Sequence, residues 1–129
     1  MLKYLYSLFT LVILIISCRK EPGTGGHASI TGHVQILKYN GSATDTIGEF
    51  PGADEYVYIV YGDHPGYDKR VKTDYNGDFQ FEFLYPGNYK VYTYSYDPSV
   101  LQEYSAMIQT ATLDKKEELQ LQDFIIYKP

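Results

Sequence analysis

Thr73-Asp74-Tyr75-Asn76-Gly77-Asp78-Phe79-Gln80-Phe81 and, shortly after it, Leu84-Tyr85-Pro86-Gly87-Asn88-Tyr89-Lys90-Val91 carry the strongest structural signal in this chain. Asn76-Gly77 separates two short runs, Arg70 to Asp74 and Asp78 to Phe83. Asn-Gly between such runs predicts a tight hairpin, because both residues accept the positive φ that the turn demands. After it, Phe79, Phe81 and Phe83 alternate with Gln80 and Glu82, the period-two pattern of a strand with one apolar and one wet face. Tyr85-Pro86-Gly87-Asn88 reads as a second turn, with Pro fixing φ and Gly accepting the reversed torsion. Tyr89 to Tyr96 is then the next strand.

The same alternation extends in both directions. Ser29 to Tyr39 puts Ile30, Val34 and Ile36 on one face, and Tyr56 to Tyr61 does the same with Val57 and Ile59. Asn40 to Asp54 reads as a long polar connection, and Gly62-Asp63-His64-Pro65-Gly66 as a loop that no ladder accommodates. Ser105 to Leu113 and Glu118 to Tyr127 supply two more strands. The second of these is bulged, so that Leu119, Leu121, Phe124 and Ile126 all turn inward. The expectation is an all-β chain of seven strands in a two-sheet sandwich. Its core would hold Ile30, Val34, Ile36, Val57, Ile59, Phe79, Phe81, Tyr89 and Val91.

Composition agrees with one such domain. The 129 residues are 44% apolar and 21% charged, ordinary globular usage. Tyr accounts for 15 residues and Trp for none, a bias that suits strands. A net charge of −5 lacks the basic footprint of a nucleic-acid binder. A single Cys excludes an internal disulfide and a cysteine-based zinc cluster.

The Thr73–Phe81 and Leu84–Val91 segments resemble the T-D-x-x-G-x-F-x-F…L-x-P-G-x-Y-x-V signature of carboxypeptidase-regulatory-like domains, which belong to the prealbumin-like (transthyretin-like, Cna B-type) group. Ile30-Thr31-Gly32-His33-Val34 and Pro51-Gly52-Ala53…Val57-Tyr58-Ile59 resemble two further strands of that group. The likeness spans roughly residues 28–127 and implies a prealbumin-like (Ig-like) sandwich.

The first residues read as an address rather than as part of the fold. Lys3 precedes the apolar run Leu5–Ile16, which suits an export signal and is too short for a membrane-spanning helix of about 20 residues. Ile15-Ile16-Ser17-Cys18 resembles the lipobox of bacterial lipoproteins, in which the Cys becomes the lipidated N-terminus. The expected organisation is a signal peptide over 1–17, a lipidated Cys18 with a flexible Gly-rich tether to residue 27, and the sandwich over 28–127. Two or more acyl chains on Cys18 would anchor the chain stably, since each buried CH₂ contributes about 0.8 kcal/mol. Localisation in the cell envelope at the outer membrane follows as an expectation.

The prealbumin-like group includes enzymes, whose site residues this chain does not match. Hydroxyisourate hydrolases carry a Tyr-Arg-Gly-Ser segment where this chain has Ile126-Tyr127-Lys128-Pro129, and His27, His33 and His64 match no catalytic pattern of that family. Intradiol dioxygenases bind iron with two Tyr and two His, and paired His at ligand spacing are absent here. A Lys–Asn isopeptide bond, as in Cna B-type domains, would start from Lys38, but Tyr89–Tyr96 holds no Glu to assist it. Asp74-x-Asn76-x-Asp78 alternates oxygen ligands like a calcium loop, yet the turn accounts for the same residues and no bidentate Glu follows. His64 beside Asp63 and Asp68 reads as a solvated loop residue. The expectation is therefore a non-enzyme without metal or cofactor.

Tyrosine is the remaining signal. With Tyr89 and Val91 facing inward, Tyr92, Tyr94 and Tyr96 share the outward face, and Tyr56 and Tyr58 form a second outward set. Alternate residues of a strand stand about 7 Å apart, so such a row makes a flat aromatic strip. Tyr joins apolar area to a hydroxyl, which suits sugar stacking or a protein interface. Cross-strand packing alone also explains exposed aromatic pairs, at roughly 0.2–1 kcal/mol each. The sequence thus points to a small binding module for an envelope protein or a glycan, with a structural accessory or adhesin-like element of a surface assembly as the alternative.

Overall fold

The computed structural model describes residues 21–42 and 44–129. Nine strands and no helix make up these residues. They are β1 (Thr24–Tyr39), β2 (Thr46–Pro51), β3 (Tyr56–Tyr61), β4 (Lys69–Lys72), β5 (Asp78–Leu84), β6 (Gly87–Tyr96), β7 (Tyr104–Leu113), β8 (Glu118–Gln120) and β9 (Phe124–Lys128). They form two packed sheets, the expected all-β sandwich, with nine strands in place of seven.

The first sheet is organised around the long β1. Its first half pairs with β5 and its second half with β2, both antiparallel. On the other edge it pairs in parallel with β8 and then β9. The second sheet has the order β4-β3-β6-β7 and is antiparallel throughout. Between them lie the nine residues expected in the core, together with Ala28, Leu84, Ala111, Leu113, Leu121, Phe124 and Ile126.

Two differences account for the strand count. β2 lies inside the segment expected to be a loop, and all six of its residues are exposed. A strand with neither face buried has no hydrophobic alternation to betray it. The expected terminal strand is divided into β8 and β9. Its register against β1 slips by one residue between Thr31↔Gln120 and Val34↔Phe124, which is how Leu121 and Phe124 both turn inward.

The Asn-Gly turn also differs from expectation. β4 pairs with β3 and β5 with β1, so the turn carries the chain from one sheet to the other rather than closing a hairpin ladder. Only Gly77 takes positive φ, at 83°. Asp74 completes the corner: its Oδ1 accepts the N–H groups of Asn76 and Asp78, each at 2.9 Å. Nearby, Phe83 departs from the Phe79–Phe81 face. It has φ of 58° and is 65% exposed, while Leu84 takes its inward place. The pairs Ile30↔Phe81 and Ala28↔Leu84 bracket one extra residue, a β-bulge that reverses the alternation.

The Gly-rich segment expected to be a tether is part of the fold from residue 22 onward. β1 begins at Thr24, and Gly23 is buried. The Tyr89 hydroxyl accepts the Gly23 N–H at 2.9 Å and donates to the Tyr85 carbonyl at 2.6 Å, while Tyr85 N–H donates to the Gly23 carbonyl at 2.8 Å. A Cβ at Gly26 would enter the Leu84 carbonyl, and one at Gly25 would meet the Tyr85 ring. These glycines serve close approach, not flexibility. Residues 1–20, with the expected signal peptide and Cys18, lie outside the described residues.

Candidate functional site

The outer face of the second sheet gathers most of the predicted tyrosines. Register dictates this: β3 and β6 run antiparallel with Tyr58 opposite Tyr92, while Val57, Ile59 and Val91 fill the opposite, buried face. Tyr58 and Tyr92 stack at 5.1 Å between ring centroids and 13° between planes. Tyr94 meets both edge-on at 5.7 Å. Tyr56 lies 6.4 Å from Tyr58. Cross-strand packing therefore holds the cluster together, and it leaves Tyr56 and Tyr94 exposed at 38% and 45%. Burial and then the neighbouring Tyr94 raise the pKa of Tyr92 above the ordinary phenol value.

Tyr96, the fifth residue of the predicted strip, leaves the row. Its ring meets Tyr39 of β1 at 6.0 Å and Tyr104 of β7 at 5.8 Å, and Tyr39 stacks on Tyr127 of β9 at 4.9 Å. This second cluster joins the two sheets at one end, where strand twist carries the β6 terminus toward β1 and β9.

Three further side chains complete the face. Tyr67, from the loop after β3, sets its ring edge against Tyr58 at 5.0 Å. Arg70 and Lys72 of β4 lie opposite Tyr58 and Tyr56 in register. The Arg70 guanidinium carbon stands 4.3 Å from the Tyr56 ring centroid and the Lys72 Nζ 5.2 Å, both within cation–π range. The alternation of Arg70, Val71 and Lys72 was legible as a strand, but its pairing with β3 was not. Tyr67 gave no signal, because a loop has no period.

A shallow depression of about 160 Å³ opens on this face among Tyr56, Tyr58, Tyr94, Tyr104, Glu55 and Lys128. Lys128 donates to Glu55 across it at 3.0 Å. It is smaller than the 300 Å³ or so where ordinary ligand pockets begin, so it takes one small group of something lying across the sheet.

The other candidates serve the fold. Both Asp74 and Asp78 of the calcium-like spacing are engaged, Asp74 in the turn and Asp78 with His33 Nδ1 at 2.8 Å. The His33 Nε2 meets Gln35 Oε1 at 2.9 Å. Two acceptors favour the doubly protonated ring: the Gln35 bond, then Asp78 and the charge of Asp123, raise the His33 pKa against the cost of burial. His33 also borders an open groove of about 600 Å³ with Thr31, Lys72, Asp74, Gln80 and Gln120. His64 bonds Asp68 at 2.7 Å, and Asp68 also accepts the Tyr61 N–H at 2.7 Å. Against its desolvation, those two donors hold the Asp68 carboxyl below the ordinary range. Lys38 is exposed.

No protein-family model matches the chain, and no curated protein matches it. Among solved structures, the chain is similar to a crystal structure described as a putative carbohydrate binding protein from Pseudomonas aeruginosa. The two are 13% identical, the match covers 88% of this chain and 94% of that one, and the TM-score is 0.48.

Proposed function

We propose that this chain is a non-catalytic, lipid-anchored envelope protein of the prealbumin-like kind, whose outer tyrosine face binds a surface ligand. The observation that supports binding is the assembly of Tyr56, Tyr58, Tyr67, Tyr92 and Tyr94 on one sheet face, with two of the five more than two-fifths exposed. Rings locked by their neighbours present apolar area at little further entropy cost, which favours binding. Cys18 supplies the anchor in this reading, and residues 1–17 the export signal.

A glycan array and a pulldown from envelope extract, each run with the parent chain and with Tyr92→Ala/Tyr94→Ala, test the proposal. Capture of a glycan or a stoichiometric partner that the double variant loses is the expected result. Equal capture by both proteins would remove the face from consideration. Loss of palmitate labelling in Cys18→Ala tests the anchor, and retained labelling would overturn it.

A second reading, a structural subunit of a surface assembly, is favoured by β7. Among the described residues it pairs only with β6, and Tyr104–Leu113 contains no charged residue, Pro or Gly to blunt its free edge. Strand addition at that edge, disrupted by Met107→Lys, would appear as a concentration-dependent change in molar mass.

A further inference from the structure

Resting on the binding reading above, we infer that the ligand of the tyrosine face is an acidic polysaccharide. Its sugar rings lie on the tyrosines, and its carboxylate or sulfate groups are held by Arg70, Lys72 and Lys90. The charge distribution points this way. The chain as a whole is acidic, with 16 carboxylate side chains against 11 bases. Yet the positions that alternate onto this face hold no acid: Tyr56, Tyr58 and Val60 in β3, Arg70 and Lys72 in β4, Asn88 to Tyr94 in β6, and Ala106 to Thr112 in β7. Three bases stand there instead. Lys90 lies opposite Val60 and two residues before Tyr92, hence about 7 Å along the same face.

None of the three bases has a carboxylate partner among the described residues, where the ion pairs are His33–Asp78, His64–Asp68 and Lys128–Glu55. Two acids line the depression: Glu55, already matched by Lys128, and Asp54 in the exposed turn before β3, outside the strand positions that form the face. Cations held over an aromatic ring and left without an anion are set to receive one from outside, and a charged bond to guanidinium is directional and strong.

The shape of the face favours a polysaccharide over an acidic protein segment. Peptides dock by adding to a sheet edge or by filling a groove with apolar anchors. This is the broad face of a sheet, its one large aliphatic side chain with high exposure is Ile108, at 59%, and the other large apolar side chains exposed there are tyrosines. Ring faces are negative and take the C–H faces of sugars, while phenol hydroxyls meet sugar hydroxyls.

Binding of the full chain to polygalacturonate, alginate and heparin, against fully methyl-esterified polygalacturonate and poly-glutamate, tests the inference by calorimetry at two salt concentrations. Expected is binding to at least one acidic polysaccharide that weakens as salt rises, with neutral polymer and poly-glutamate at least tenfold weaker. Arg70→Gln/Lys72→Gln should lose tenfold or more while the chain stays folded, with the melting temperature lowered by only a few degrees for the lost contacts to Tyr56. Equal binding of the neutral ester, or no loss in the Gln variant, overturns the acidic preference and leaves the tyrosine reading standing. Preferential binding of poly-glutamate overturns the polysaccharide, as does binding to none of the three. Binding unaffected by Tyr92→Ala instead counts against the tyrosine face itself.

Discussion

Tyr89 and Tyr92, three residues apart on β6, do opposite work. Tyr89 points between the sheets and is 1% exposed, and its hydroxyl holds the start of the chain through Gly23 and Tyr85. Tyr92 points outward, half-buried among other rings. One residue type thus serves as a core side chain with a polar handle and as part of a surface, and only the parity of the strand separates the two roles. Truncation should destabilise strongly on the inner side and weakly on the outer.

The largest effect expected is that of Tyr89→Ala, which leaves a cavity and strands the Gly23 amide: about 3–5 kcal/mol by urea denaturation. Tyr89→Phe keeps the ring and should lose about 1–2 kcal/mol. If Tyr89→Ala proved milder than Tyr92→Ala, the inner and outer assignments would be reversed.

Next is Gly26→Ala, whose Cβ would enter the Leu84 carbonyl; about 1–3 kcal/mol is expected. Gly48→Ala, with nothing near its Cβ, is the matched control and should lie within about 0.5 kcal/mol of the parent. Equal effects would mean that the Gly-rich segment is a loose tether after all.

Tyr92→Ala should cost about 1 kcal/mol, the sum of a few cross-strand ring contacts, while removing ligand capture. A loss above about 3 kcal/mol would show the face to be core in function, and would weaken the binding proposal.

The smallest effect concerns pH. His33 has a folded pKa above its ordinary 6.5, so the stability it contributes is fully present below about 6.5 and is lost as pH rises through the folded value. The parent chain should therefore show a falling component of stability across that window that His33→Gln lacks. NMR titration should place the His33 midpoint above that of a free histidine, and a midpoint at or below it would break the assignment.

Much of this was legible. Alternation fixed which residues of β3 and β6 face inward, with Phe79 and Phe81 in the first half of β5, and it placed Tyr56 with Tyr58 and Tyr92 with Tyr94. Phe83 escaped because a bulge inverts parity without changing composition. Tyr67 and the two bases of β4 escaped because their contacts depend on which strand neighbours which.

Period-two patterning, turn residues and the run of apolar side chains depend only on near neighbours along the chain, and the amino-acid order alone settled an all-β class and most of the strands with their two faces. Sheet membership is a contest between distant pairings. It decided that the Asn76-Gly77 corner joins different sheets, that Tyr96 turns to Tyr39, and that Arg70 and Lys72 stand over Tyr56. Those outcomes depend on backbone hydrogen bonds and packing between segments far apart in sequence, which no local pattern encodes.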